Sequence, residues 1–74
     1  MKVLLVDDSR ATRAMIRRIL VKLSAEVIEA DNGCSALEAL RAHGGADLAL
    51  VDWNMPVMTG IDFVRTVRRD DSCN

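Results

Sequence analysis

Apolar and polar positions along the chain fall into two rhythms. Val3 to Val6 is a four-residue apolar run flanked by charge, the pattern of a short buried strand. Residues 9–23, "SRATRAMIRRILVKL", then switch to a helical period. Ala11, Met15, Ile19 and Leu23 recur every fourth position with Ile16 and Leu20 beside them, and Asp8 or Ser9 stands where an N-cap belongs. "AEVIEA" at 25–30 predicts a second strand around Val27 and Ile28, and "DNG" at 31–33 a turn. "CSALEALRAH" predicts a second helix with Leu37 and Leu40 on one face, stopped by Gly44 and Gly45. "ADLALV" at 46–51 predicts a third strand, apolar enough to be buried on both faces. "DWNMPVMT" follows as a loop and "GIDFVRTVRRD" as a third helix. In that helix Ile61, Val64 and Val67 are expected inward, with Arg65, Arg68 and Arg69 near the C-terminal end of the dipole.

The order β-α-β-α-β-α predicts an α/β fold with a parallel sheet and right-handed crossovers. Ligands of such sheets bind beyond the carboxyl ends of the strands. The first run ends there on Asp7 and Asp8, and the third on Asp52. If the first and third strands are neighbours, the three carboxylates share one pocket. Close like charges repel unless a cation neutralises them, and an all-oxygen acidic pocket suits Mg²⁺, with Mn²⁺ as the alternative. A metal beside a carboxylate also makes that carboxylate a workable phosphoryl acceptor. The plainer reading is that acids after strands only cap helices or turns, which accounts for Asp8 alone but does not require all three.

Composition narrows the function classes. The chain has 74 residues, half of them hydrophobic, and a formal net charge of −1, which describes one small globular domain. No apolar run is long enough to span a membrane, and charge arrives at residue 7, too early for a signal peptide. The expected location is the cytoplasm, with no membrane partner. Nucleic acid is a poor partner for a chain that is not basic overall and whose aromatics are Trp53 and Phe63. Cys34 and Cys73 lack metal-ligand spacing and do not make a disulfide framework. Cys34 reads as a small residue near a helix start and Cys73 as a free surface thiol.

"LLVDDS", "ADNG" and "DWNMPVMTG" together resemble the receiver domain of bacterial two-component response regulators, in particular the chemotaxis type, over the whole chain. The resemblance implies a flavodoxin-like doubly wound parallel sheet, of which residues 1–74 form the first three βα units with strand order 2-1-3. It implies Asp52 as phosphoacceptor, Mg²⁺ bound by Asp8, Asp52 and the backbone carbonyl of Asn54, and Asp7 holding a metal-bound water. Asn54 falls where the family tunes the lifetime of its phosphoryl group. Trp53, at the pocket rim, Pro56 and Gly60 match the loop that shapes the pocket. A histidine kinase or phosphotransfer protein is the implied partner.

Arg10, Arg13, Arg17, Arg18 and Lys22 give the first helix five cations and no acid. Their plain reading is a solvated face. The resemblance favours a kinase-docking surface at Arg10, Arg13 and Arg17. The chain also departs from the family pattern, because it stops after the third helix. The Ser/Thr and the Lys that receivers carry after strands four and five are expected to be absent. The third strand is then expected to present an exposed apolar edge through which the chain self-associates or swaps.

Two functions follow as expectations. The first is a phosphoacceptor signalling fragment rather than an enzyme in its own right. The alternative is a truncated half-domain that self-associates, binds a cation weakly and does not undergo phosphotransfer. An aspartyl-phosphate phosphatase or transferase would need its nucleophile in "VDDS" and would leave "DWNMP" unexplained.

Overall fold

The computed structural model describes residues 1–51 and 57–69. In chain order the elements are β1 (Lys2–Val6), α1 (Arg10–Lys22), β2 (Glu26–Ala30), α2 (Gly33–His43), β3 (Leu48–Val51), β4 (Val57–Thr59) and α3 (Gly60–Arg69). The sheet order is β2-β1-β3-β4. β1 pairs in parallel with β2 on one side and β3 on the other, with Val3 opposite both Val27 and Leu48. The expected parallel 2-1-3 arrangement is therefore present.

β1 is the central layer. Val3, Leu4, Leu5 and Val6 are all buried, so both faces of this strand are covered. Leu4 and Val6 join Ile28, Ala30 and Ala49 on one face, where Ala36, Leu37 and Leu40 of α2 and Phe63 and Val67 of α3 complete the core. α1 lies across the other face, over β1 and β2. Its start is fixed by Ser9, whose Oγ accepts from the Thr12 amide at 3.3 Å. α2 is capped in the same way by Asn32, whose Oδ1 accepts from the Ser35 amide at 2.8 Å. It stops at Gly44, at φ 78, a left-handed conformation that glycine adopts without steric cost.

Four expectations are corrected. Residues 57–59, read as loop, form β4 and pair antiparallel with β3, Leu48 opposite Thr59 and Leu50 opposite Val57. The apolar third-strand edge expected to drive self-association is thus occupied. Its free N–H and C=O groups are satisfied within the chain, which is what an unpaired edge demands. Secondly, β3 is not buried on both faces: Ala49 is fully buried, but Leu48 and Leu50 on the α1 side are only half-buried. α1 leans toward β2 and leaves that side of β3 open.

Thirdly, Ile61 points outward at 67% exposure, and Phe63 takes the core position expected of it, with Val67 one turn on. The close seat of Gly60 fixes this rotation: a Cβ there would lie 2.1 Å from the Ala46 carbonyl oxygen. With Gly60 held against Ala46, the residues at 63 and 67 face the sheet, and position 61 falls on the opposite side. Lastly, Cys34 is disulfide-bonded rather than a plain small residue. Cys73 lies outside the described residues.

α1 contributes no fully buried residue. Ile16 and Leu20 sit against the sheet, while Met15 (59% exposed), Ile19 (55%) and Leu23 (72%) form an outer apolar stripe. An apolar stripe beside the half-buried Leu48 and Leu50 is a candidate association surface. It replaces the third-strand edge in that role. In sedimentation velocity at tens of micromolar, the chain is expected to associate, more strongly as salt screens the flanking arginines. Met15→Lys with Ile19→Lys is expected to sediment as monomer, and a parent chain that is monomeric under all these conditions excludes the surface.

A second prediction concerns Gly60. An alanine there forces the Ala46 backbone or the start of α3 to move, so Gly60→Ala is expected to cost about 1–3 kcal/mol of stability by urea denaturation. An unchanged midpoint would show that this approach does not constrain the helix.

Candidate functional site

The register of the parallel strands sets the site. Val6 lies opposite Val51, so β1 and β3 reach the same end of the sheet together. Asp7 is the next residue of one strand. Asp52 follows the other in sequence and lies outside the described residues, as do Trp53, Asn54 and Pro56.

Asp7 is 3% exposed, the one buried acid among the described residues. A carboxylate is buried only when its oxygens are satisfied. Here Oδ1 accepts from the Ser9 amide at 2.7 Å, a local turn that also delivers Ser9 to its capping position. The Asp7 amide donates to the Ala30 carbonyl at 3.1 Å, extending the β1–β2 ladder one residue beyond the strand. The amino end of α1 stands over this turn, where a helix dipole favours negative charge. Asp8 makes no such bond among the described residues and is exposed. One acid is therefore fixed inside and its neighbour faces solvent at the same strand end.

Arg13 closes the turn from above. Its guanidinium Nη1 donates to the Asp7 carbonyl, and its Nε lies 3.5 Å from Glu29 Oε1. The Nε contact is an ion pair without hydrogen-bond geometry, since Nε is buried and finds no hydrogen-bond acceptor. Arg17 meets the other oxygen of Glu29 at 3.3 Å. Glu29 therefore holds two cations of α1, one turn apart, against the α1-facing side of β2. Its role was not read from the sequence. The available signal was an acid alternating with apolar residues in "EVIEA", across from a helix rich in arginine.

The expected docking arginines thus divide. Arg10 is exposed and makes no ion pair among the described residues, Arg17 is half-exposed and paired, and the Arg13 side chain, at 17% exposure, is turned into the fold. Gly60 is placed at the amino end of β3 beside Ala46, the end of the sheet opposite Asp7. Its part there is to let α3 approach the backbone.

Among the described residues no three of His, Cys, Asp and Glu come together as a cation-holding group. What is present is the β1 contribution, a fixed carboxylate and a free one, both hard oxygen donors suited to a small divalent ion.

The model of the response regulator receiver domain matches residues 3–74. A chemotaxis protein CheY1 of Helicobacter pylori is 44% identical over 72 residues, covering 96% of this chain and 58% of that protein. The chemotaxis protein CheY of Pseudomonas aeruginosa is 46% identical over 72 residues, covering 96% of this chain and 57% of that protein. Among solved structures, that of the Vibrio cholerae chemotaxis protein CheY4 matches with a TM-score of 0.65 and 42% identity, covering 95% of this chain and 57% of that one. The chain spans somewhat over half the length of each of these relatives.

Arg13 is the testable hinge of the geometry. Arg13→Ala removes a charge-assisted bond to the Asp7 carbonyl and is expected to lower stability by about 1.5–3 kcal/mol. Arg18→Ala on the exposed face is expected to stay within about 0.5 kcal/mol. Equal urea midpoints for the two variants would mean that Arg13 does not hold the turn.

Proposed function

The chain belongs to the response regulator receiver domain family, and from that premise we propose that it is a chemotaxis-type phosphoacceptor module that takes a phosphoryl group onto Asp52. The observation that carries this reading is the shared end of β1 and β3, with Val6 opposite Val51 and Asp7 buried and hydrogen-bonded just beyond. The phosphoryl donor is a phosphohistidine of a histidine kinase or phosphotransfer protein. A carboxylate oxygen of Asp52 forms the new bond to phosphorus, the phosphorus–nitrogen bond breaks, and the imidazole nitrogen leaves with the electron pair and takes up a proton.

The residues proposed to hold Mg²⁺ are Asp8, Asp52 and the Asn54 backbone carbonyl, with Asp7 acting through a water. Bound there, the ion offsets the charge on the phosphoryl oxygens. Asp7, fixed by the Ser9 amide, would hold the water in place, and the exposed Asp8 would supply a carboxylate oxygen to the ion. Of the three α1 arginines proposed for kinase docking, Arg10 is the one best placed to meet an acidic partner surface, because Arg13 and Arg17 are engaged by Glu29. No described helix is long and apolar enough to cross a membrane, and a cytoplasmic site of action is part of the proposal.

A second reading is favoured by the exposed stripe Met15, Ile19 and Leu23. It is a self-associating half-domain with a weak cation site and no phosphotransfer.

Two measurements separate these readings. Mg²⁺ is expected to quench Trp53 fluorescence saturably, and Asp52→Asn to abolish the response. A small-molecule phosphoryl donor such as acetyl phosphate is expected to add one phosphoryl group by intact mass, again lost in Asp52→Asn. Quenching without mass gain supports the association module. A flat response in both measurements, with a folded circular dichroism spectrum, removes the phosphoacceptor reading.

A further inference from the structure

α2 and α3 lie side by side on one face of the sheet and leave a cavity of about 470 Å³ between them, at the amino end of β3. Its floor and walls include Leu40, Ile61 and Val64. Arg41 stands on the α2 wall, and Arg65 and Arg68 stand one turn apart on the α3 wall. All three arginines are exposed, and among the described residues none of them forms an ion pair and no acid lines the cavity. In a chain of net charge −1, this is a local concentration of positive charge around an apolar floor. Ile61, directed outward at 67% exposure, belongs to the same surface.

We propose that this groove is a docking site for an acidic amphipathic helix of a partner protein. A volume of this size takes one or two large apolar side chains, which matches the anchors of helix-in-groove recognition. The arginines favour an elongated occupant, since they stand on both walls and Arg65 and Arg68 are spaced along α3. A helix with an apolar stripe and acids on both flanks meets all three, whereas a single anionic headgroup meets one wall. Charge also argues against a second copy of this chain. α1, the helix with a free apolar stripe, carries five cations and no acid between Arg10 and Lys22, and would bring like charge onto the arginine rim. The groove lies at the end of the sheet opposite Asp7, so the proposal stands independently of phosphoryl acceptance.

The test is fluorescence anisotropy with a labelled helical peptide carrying leucines at i, i+3, i+4 and i+7 and glutamates on both flanks. Saturable micromolar binding is expected, weakening as salt rises. Arg65→Glu with Arg68→Glu, and separately Arg41→Glu, are expected to weaken it at least tenfold, as is Ile61→Asp. Arg18→Glu, the same charge change on the exposed face of α1, is expected to leave it unchanged. Circular dichroism of each variant reads the fold, and because the five substituted side chains are exposed, the helical signal is expected to persist. Peptides with leucines replaced by alanine, or glutamates by lysine, are expected not to bind. Absence of saturable binding by the parent chain overturns the proposal. So does equal loss in Arg18→Glu, which would mark a net-charge effect, or binding of decanoate with none of the peptide, which would make the groove a small-amphiphile site.

Discussion

The burial of β1 on both faces is the constraint from which the rest of the structure follows. A strand whose four apolar residues are all covered needs neighbours on both edges and layers above and below. β2 and β3 supply the edges, α1 one layer, and α2 with α3 the other. The same constraint fixes the chemistry. A strand enclosed in this way emerges only at its ends, and the first residue to emerge, Asp7, is still buried. It is held in orientation by main-chain groups belonging to the turn it makes, so fold and site share one hydrogen-bonded unit of Asp7, Ser9 and Arg13.

Much of this was legible because each apolar run in the sequence has a single interpretation. "KVLLVDDS" cannot be a helix of any length before two acids and a cap, and the fourfold recurrence from Ala11 to Leu23 cannot be a strand. Two caps were legible for the same local reason, Ser9 and Gly44 acting on groups within four residues of themselves, whereas Asn32 read only as part of a turn and proves to be the N-cap of α2. What was not legible depends on distance in the chain. The outward turn of Ile61 follows from the seat of Gly60 on Ala46, which no helical period in "GIDFVRTV" encodes. Glu29 as the anchor of two arginines needs the placement of α1 over β2. On the candidate site, the Asp7 and Asp8 half was legible and is now placed. The Asp52 to Pro56 half carries the strongest family signal and lies outside the described residues.

β4 is the clearest case of tertiary context overriding a local reading. "VMT" after a proline-containing stretch is too short to stand as a strand by propensity. It becomes one because β3 offers a row of unsatisfied backbone groups, and residues 57–59 are close enough in the chain to pair with them. In the doubly wound order of the family, that edge is taken by the next parallel strand. Here an antiparallel segment takes it, and α3 consequently starts at the amino end of β3 rather than at the end where Asp7 sits. Removing the edge as an adhesive surface shifts the association argument to the α1 stripe, where side-chain burial rather than backbone pairing is the driving force.

This rearrangement also gives the molecule two chemically opposite ends. Asp7 and Asp8 lie where β1 ends, and exposed arginines gather around an apolar groove where β3 begins. The ends are separated by the length of the sheet, so direct electrostatic contact between their occupants is largely screened. They are nevertheless joined covalently by a short path. Residues 52–56 carry the proposed phosphoacceptor, and the next thirteen residues build β4 and the arginine-bearing wall of α3. α3 itself returns toward the acidic end, where Val67 packs near Gly33 at the start of α2. α3 therefore spans the two ends, seated at one by Gly60, which has no room for a Cβ against Ala46, and packed at the other through Val67.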